Sequence, residues 1–406
     1  MDDRFLAERK KEVILFVVSS LLFLGSAFVL TRQKSVLIHS DFYSRWYPSR
    51  MKLLEQRSIY DPKNSEEVVA INPEPIDPIF ATFAYPATLL VFTLPLAFME
   101  FPAAHFFWLF FIQICSFLGV YILSKAAGWP RAVNGLTVML LLSILFIPNM
   151  QNTIWGQFNT IGVLFLALAY RALLEGKYAQ AGLWAAGLTF KPQTMLLTLV
   201  LLLAWAIFER RRWPLLSGFF GASLVLWGFA EIIEPGWIIG FYKGSQVYLN
   251  YSGLFDPSSA LEFTGIPGMW LPAGLLLITA VVFLVHRKAE AGSPAMTGWL
   301  VLSAATWWLV VPIIGMMHMV LLPGVLVILF SVLSREYPQL ERLGEAGILL
   351  LYGLGAAGFL YGLASPESYG LHIRLSELAY KVAAPIFTAA LTFPLVIRAR
   401  RQASLA

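Results

Sequence analysis

Asp41 stands just after the first hydrophobic run of the chain, at the head of a segment that carries Phe42, Tyr43, Trp46 and Tyr47. A carboxylate held at a membrane surface can act as a base, taking the proton of a hydroxyl that attacks a lipid-borne substrate. Few other residues have types suited to chemistry. Lys191 lies between two apolar runs, His318 is flanked by Met316, Met317 and Met319, and Gln157, Asn159 and Gln193 are amides between hydrophobic stretches. Arg45 and Arg50 follow Asp41 at about one and two helical turns. Each also has a plainer reading. Asp is a common helix cap, a lysine near hydrocarbon can snorkel to the headgroups, and a lone histidine in apolar surroundings is ordinarily a packing residue. Amides between spans can simply close helix ends, and arginines beside a membrane suit lipid headgroups as well as a substrate phosphate. Trp307 and Trp308 read as packing or interfacial residues.

The elements that must position these residues are membrane helices. The chain of 406 residues is 58% hydrophobic and only 13% charged, with a mean hydropathy of +0.70, too apolar for a soluble surface. Apolar runs of roughly 18 to 22 residues recur, each able to cross about 30 Å of hydrocarbon as a helix; short alternating strands of a barrel are not seen. The charged start Met1 to Glu12 leads into Val13 to Leu30 without a small-residue cleavage site, which reads as a retained first span. The expected spans are Val13 to Leu30, Ala104 to Ser124, Ala132 to Ile147, Phe158 to Leu174, Tyr178 to Phe190, Thr194 to Phe208, Trp213 to Ile233, Trp270 to Val285, Trp299 to Ile314, Met319 to Leu333, Ala346 to Leu363 and Val382 to Ile397. Pro86 to Met99 is short for a crossing. If it does not cross, the basic clusters at 9 to 11, 125 with 131, 171 with 177, 210 to 212, 287 with 288 and 398 to 401 share one side. The positive-inside rule then gives twelve spans with both termini in the cytoplasm.

This topology leaves two sizeable outer loops in a single membrane domain, residues 32–85 and 234–267. In the first, Phe42, Trp46, Leu53 and Leu54 recur at helical spacing, which predicts an amphipathic helix on the membrane with Asp41 at its start. Cys115, the only cysteine, falls within a span and excludes disulfides inside the chain. The histidines at 39, 105, 286, 318 and 372 do not cluster as ligands, so no metal is expected. Basic residues spread over short loops give no nucleic-acid footprint. The absence of an outer Asp-x-Asp pair and of a glycine-rich phosphate loop argues against a nucleotide-sugar donor, ATP or another cofactor.

Several short motifs carry a resemblance. Asp41-Phe42-Tyr43, then Ser58-Ile59-Tyr60-Asp61-Pro62, Tyr85-Pro86, Trp155-Gly156-Gln157-Phe158-Asn159, Ala181-Gly182-Leu183 and Leu188-Thr189-Phe190-Lys191-Pro192-Gln193 resemble glycosyltransferase family 87 in order. Asn250-Tyr251-Ser252 and His318 continue the likeness more weakly, and nothing after His318 is recognised. The resemblance implies an all-α bundle of the GT-C type that moves a mannose-like or arabinofuranose-like sugar from a polyprenyl-phosphate donor to a lipid or glycan acceptor on the outer membrane face. It implies that Asp41 is the general base of an inverting displacement. It further implies Lys191 facing the donor phosphate at the helix start marked by Pro192, with His318, Gln157, Asn159, Gln193, Arg45, Asn250 and Ser252 as substrate contacts. The rival reading is a transporter or flippase of lipid-linked sugars, but intramembrane acids are scarce and no inverted repeat is evident. A non-enzymatic assembly partner is a third.

The topology is testable without any substrate. A cysteine at Ser65 should react with an impermeant thiol reagent from outside and one at Ser293 should not; labelling of both from one side would overturn the map.

Overall fold

The computed structural model describes residues 3–33, 40–71, 78–130, 133–144, 146–249, 270–311, 316–364 and 378–405. All regular secondary structure among them is helical. Among the described residues, five helical stretches are long and apolar enough to cross a membrane: Lys10–Arg32, Phe101–Ala127, Arg210–Ile233, Met316–Glu336 and Ala379–Ile397. The protein is thus all-α with the helices of a multi-pass membrane protein. Other predicted spans hold shorter helices, such as Val133–Ile144 with 12 residues and Asn159–Leu174 with 16, a rise of roughly 18 to 24 Å. The ambiguous Pro86 segment forms the short apolar helix Ala87–Leu96, about 15 Å long and half the hydrocarbon thickness.

The chain divides into two compact units that alternate along the sequence. The first comprises Met1–Phe117, Met150–Ile161 and Leu224–Ser252; the second comprises Leu118–Asn149, Gly162–Ser223 and Gly253–Ala406.

In the first unit the segment after the first helix is a packed body. The helix Tyr43–Glu55 lies against Leu90–Leu96 and Pro62–Ile71. Its Trp46 donates its indole N–H to Leu96 O at 3.1 Å, and Ser49 Oγ meets Thr93 Oγ1 at 2.8 Å. The expected apolar stripe exists, but Phe42 and Trp46 are buried against protein and Leu54 is left exposed. The helix is therefore covered by its own chain where the periodicity predicted a face on lipid. Periodicity reports which side is apolar and cannot say what covers it.

The Ser58-Ile59-Tyr60 motif has a structural job here. Ser58 Oγ donates to Glu234 Oε1, Ile59 N donates to Oε2 at 3.3 Å, and Lys52 Nζ stands 3.1 Å from the same oxygen. A nearly buried carboxylate is thereby satisfied on both oxygens, which fastens the segment from Lys52 to Ile59 to the end of the helix Trp213–Ile233. Tyr60 supports the next element: its phenol donates to Tyr85 O at 2.7 Å while its ring lies against Gly240 of the helix Trp237–Leu249, where a Cβ would approach to 2.4 Å.

In the second unit the helix Leu322–Glu336 is the core. Together with the 3₁₀ turn Met316–Leu321 before it, it is 94% buried over its most apolar window, as expected of a helix apolar on every side. Phe330 stacks on Trp129, and Gly344 of the helix Leu340–Ala364 allows Phe330 to approach. The helix Tyr178–Ala186 meets Trp213–Ile233 backbone to backbone. A Cβ at Gly182 would fall 1.9 Å from Leu215 O, and one at Gly218 would fall 2.0 Å from Ala179 O. Small residues at such a crossing let membrane helices approach closely. Gly182→Val should therefore lower the unfolding free energy by about 3 kcal/mol or more, the upper end of overpacking costs, read as a fall in Tm of the solubilised protein. An unchanged Tm would contradict the interlock.

Candidate functional site

Asp41 is placed by the end of another helix. Helix Ile147–Trp155 stops in a Schellman turn: Gly156 has φ +63°, Gly156 N donates to Thr153 O at 3.3 Å and Gln157 N donates to Asn152 O at 2.8 Å. The carbonyl of Trp155 is thereby turned outward and accepts from Asp41 N at 2.8 Å. Trp108 donates its indole N–H to Gly156 O at 2.7 Å. Phe42 stacks on the Trp108 ring at 4.9 Å and 8°, so the residues on both sides of the turn are held by one indole. A Cβ at Gly156 would lie 2.8 Å from Ser40 Oγ and 2.9 Å from Phe42 Cβ. Glycine is required here twice, for the left-handed backbone and for this approach.

The helix after Asp41 begins one residue later than expected, with Phe42 at the N-cap position. Ser40 Oγ accepts from Phe42 N at 3.2 Å, and Ser44 Oγ donates to Asp41 O at 3.0 Å. Asp41 itself is half-buried among these bonds. Arg45 is 1% exposed, and its Nη1 donates to Ser44 Oγ and to Thr82 O at 2.8 Å each. Its guanidinium lies 4.6 Å from the centre of the Tyr85 ring. Burial pushes the Tyr85 phenol up, the Arg45 charge opposes this and the Asp41 carboxylate adds to it, which puts all three groups in one electrostatic neighbourhood. The headgroup reading of Arg45 is thereby corrected. Arg45 is enclosed, and Arg50 donates to Ala97 O and Met99 O and pairs with Glu100 at 2.6 Å.

Gln157 and Asn159 are buried in the same unit, and Asn159 Nδ2 donates to Asn152 Oδ1 at 2.9 Å. Phe158 continues the aromatic chain, 4.6 Å from Trp108 and 5.5 Å from Tyr85. Four of the sequence motifs, those around residues 41, 58, 85 and 155, thus meet within the first unit.

The second unit holds the cationic candidates. Lys191 is 6% exposed, so it is enclosed by protein and does not extend along a surface to headgroups. Its carbonyl accepts from Thr194 N at 3.1 Å and from Thr194 Oγ1 at 2.8 Å. The helix expected to start at Pro192 is the three-residue 3₁₀ turn Pro192–Thr194, and Leu196–Ile207 follows after Met195. Pro192 therefore does not open a long helix whose dipole would face Lys191. Trp307 donates to Gln193 O at 2.8 Å and Trp308 to Thr194 O at 3.0 Å, both from the helix Pro294–Val310. The two indoles brace the Lys191 loop, a role that reading them as packing or belt residues missed. A pair of adjacent tryptophans beside a polar loop was the available signal. His318 is buried in the 3₁₀ turn Met316–Leu321. Asn250 and Ser252 lie outside the described residues. Among the described residues, no group of His, Cys, Asp and Glu could hold a metal ion.

No known protein family, curated protein or solved structure matches the chain.

The Gly156 turn yields a direct test. Gly156→Ala should cost about 1–2 kcal/mol from the left-handed backbone alone and displace Ser40 to Phe42, read as a lower Tm together with faster proteolysis near residue 41. Unchanged stability and cleavage would show that the turn does not hold Asp41.

Proposed function

We propose that this protein is an inverting membrane glycosyltransferase of GT-C type with about twelve spans, both termini cytoplasmic and its active site facing outward from the cell membrane. The donor is a polyprenyl-phosphate sugar and the acceptor is a glycolipid or glycan. The observation that carries the reading is the meeting of motifs more than a hundred residues apart in sequence around the Asp41 backbone, anchored at 2.8 Å by Trp155. Such a convergence fits a site that fixes one carboxylate and lets the rest of the loop serve it.

In this reading Asp41 accepts the proton of the acceptor hydroxyl as its oxygen attacks the anomeric carbon. The bond from that carbon to the phosphate oxygen breaks, and the sugar is transferred with inversion. Negative charge grows on the leaving phosphate and needs cationic or hydrogen-bonding groups to stabilise it, the part that the family resemblance gives to Lys191 and His318. In the same reading Gln157, Asn159 and Gln193 supply hydrogen bonds to sugar hydroxyls. Arg45, held by Ser44 and Thr82, acts on the substrate through the Asp41 loop that it braces. No cofactor or metal enters the reaction.

Purified protein in lipid, assayed against a panel of polyprenyl-phosphate mannose, arabinofuranose and related sugars, should transfer at least one of them with inversion. Export of a lipid-linked sugar without transfer would contradict the proposal. Lys191→Met should lower turnover by roughly two orders of magnitude, as for other lost charge-stabilising donors, while the protein stays monodisperse. Near-normal turnover would remove Lys191 from the site.

A further inference from the structure

The span Arg210–Ile233 is followed, after a short link, by a second helix, Trp237–Leu249. Only 11% of the most apolar window of that span is buried, and Leu224, Val225 and Ile232 stand exposed on it, so lipid is the solvent these side chains require. The link between the helices is a tight turn. Gly236 has φ +73°, its N–H donates to Glu231 Oε1 at 2.8 Å, and Trp237 N donates to Glu234 O at 3.1 Å. The chain turns back so sharply that the Trp237 indole meets the Trp227 indole edge-on at 5.8 Å. Trp227 lies six residues before the end of the span, about 9 Å of helix rise. The second helix therefore begins level with the last turns of a membrane helix, and with 13 residues, about 20 Å, it is too short to cross.

One side of this helix is committed to protein. Gly240 and Gly244 lie four residues apart and so on one face, where they receive the Tyr60 ring and the Phe83 carbonyl. A Cβ at Gly240 would collide with the ring, and one at Gly244 would stand 3.0 Å from the carbonyl oxygen. Tyr60 in turn donates to Tyr85 O, and the Tyr85 ring carries the Arg45 guanidinium at 4.6 Å. The opposite side of the helix holds Ile238, Ile239 and Tyr242, which are 53%, 63% and 64% exposed, with Lys243 and Gln246 also exposed. Large apolar side chains gathered on one side, next to the end of a span, do not belong in water. A face that starts beside a pair of tryptophans and is bordered by a lysine has the pattern of a helix lying in a membrane interface.

We propose that the outward face of Trp237–Leu249 is seated in the membrane interface, with Ile238, Ile239 and the Tyr242 ring among the outermost acyl carbons. The partner of this face is the lipid surface, and the seated helix fixes the height of Tyr60, Tyr85 and Arg45 relative to it. The interfacial helix that periodicity announced at Phe42 to Leu54 is found instead in this later part of the chain. The seating requires no transferase activity and rests only on the span Arg210–Ile233 lying in lipid.

The test is quenching by lipid. Ile239→Cys, Tyr242→Cys and Val225→Cys proteins are labelled with an environment-sensitive fluorophore and placed in nanodiscs containing phosphatidylcholine brominated near the headgroup. Wild-type protein taken through the same labelling gives the background from Cys115, which is buried. Quenching at positions 239 and 242 should come within about twofold of that at position 225, as for a face roughly 5–10 Å into the headgroup and acyl boundary, with little quenching by aqueous iodide. Quenching by iodide and not by brominated lipid would place the face in water and overturn the proposal. Cross-linking of Ile239→Cys copies to one another on oxidation, without lipid quenching, would assign the face to a second copy of the chain and overturn it as well. Absence of lipid quenching at position 225 would take the span out of lipid, and the seating with it.

Discussion

The first unit depends on one turn of backbone. Where the helix Ile147–Trp155 ends, Gly156 enters the left-handed region and turns the Trp155 carbonyl toward Asp41 N, 2.8 Å away. No residue with a Cβ fits, since Ser40 and Phe42 already occupy that space. Trp108 then ties the turn from one side and stacks on Phe42 from the other. The segment that begins at Ser40 is thus registered to the end of a helix, and the candidate base inherits the rigidity of the helices. Positioning of this kind is what acid–base chemistry at a membrane surface requires, since a misplacement of about 1 Å can cost a hundredfold.

The motifs divide between scaffold and chemistry once their contacts are known. Ser58 and Ile59 clasp Glu234 together with Lys52, and Tyr60 makes room with Gly240 for the following helix. Gly182 serves a helix crossing with Gly218. These residues hold the fold where helices meet one another and where loops meet helix ends. Asp41, Lys191 and His318 remain as the groups with chemistry to offer, supported by Trp108, Trp307 and Trp308. Each of these indoles donates its N–H to a backbone carbonyl beside one of the candidate loops. Tryptophan suits that duty because one side chain fills an apolar space and fixes a polar edge at once.

Much of the fold was legible because membrane helices announce themselves by composition. Runs such as Val13 to Leu30 and Ala104 to Ser124 fall on helices of full crossing length. Helix boundaries and partners were less legible. Pro192 signalled a helix start, yet its residues form a 3₁₀ turn because the Thr194 amide and hydroxyl both bond the Lys191 carbonyl. The stripe Phe42 and Trp46 pointed to lipid, whereas Phe101, Trp108 and the helix Leu90–Leu96 cover it. Arg45 reads by position as a headgroup contact, and only its burial, at 1% exposed, separates it from one. A buried cation is a property of the tertiary structure, invisible to spacing.

The claim that everything else serves is that the Asp41 carboxylate removes a proton during transfer. Asp41→Asn keeps the shape, the backbone bond to Trp155 and most side-chain hydrogen bonding, so it isolates the base. The measurement is single-turnover transfer by the Asn and Glu variants, alongside donor binding, with a polyprenyl-phosphate sugar as the proposed donor. The account predicts donor binding near wild type with transfer reduced to a trace in Asp41→Asn, and little recovery in Asp41→Glu. Wild-type transfer by Asp41→Asn would contradict it.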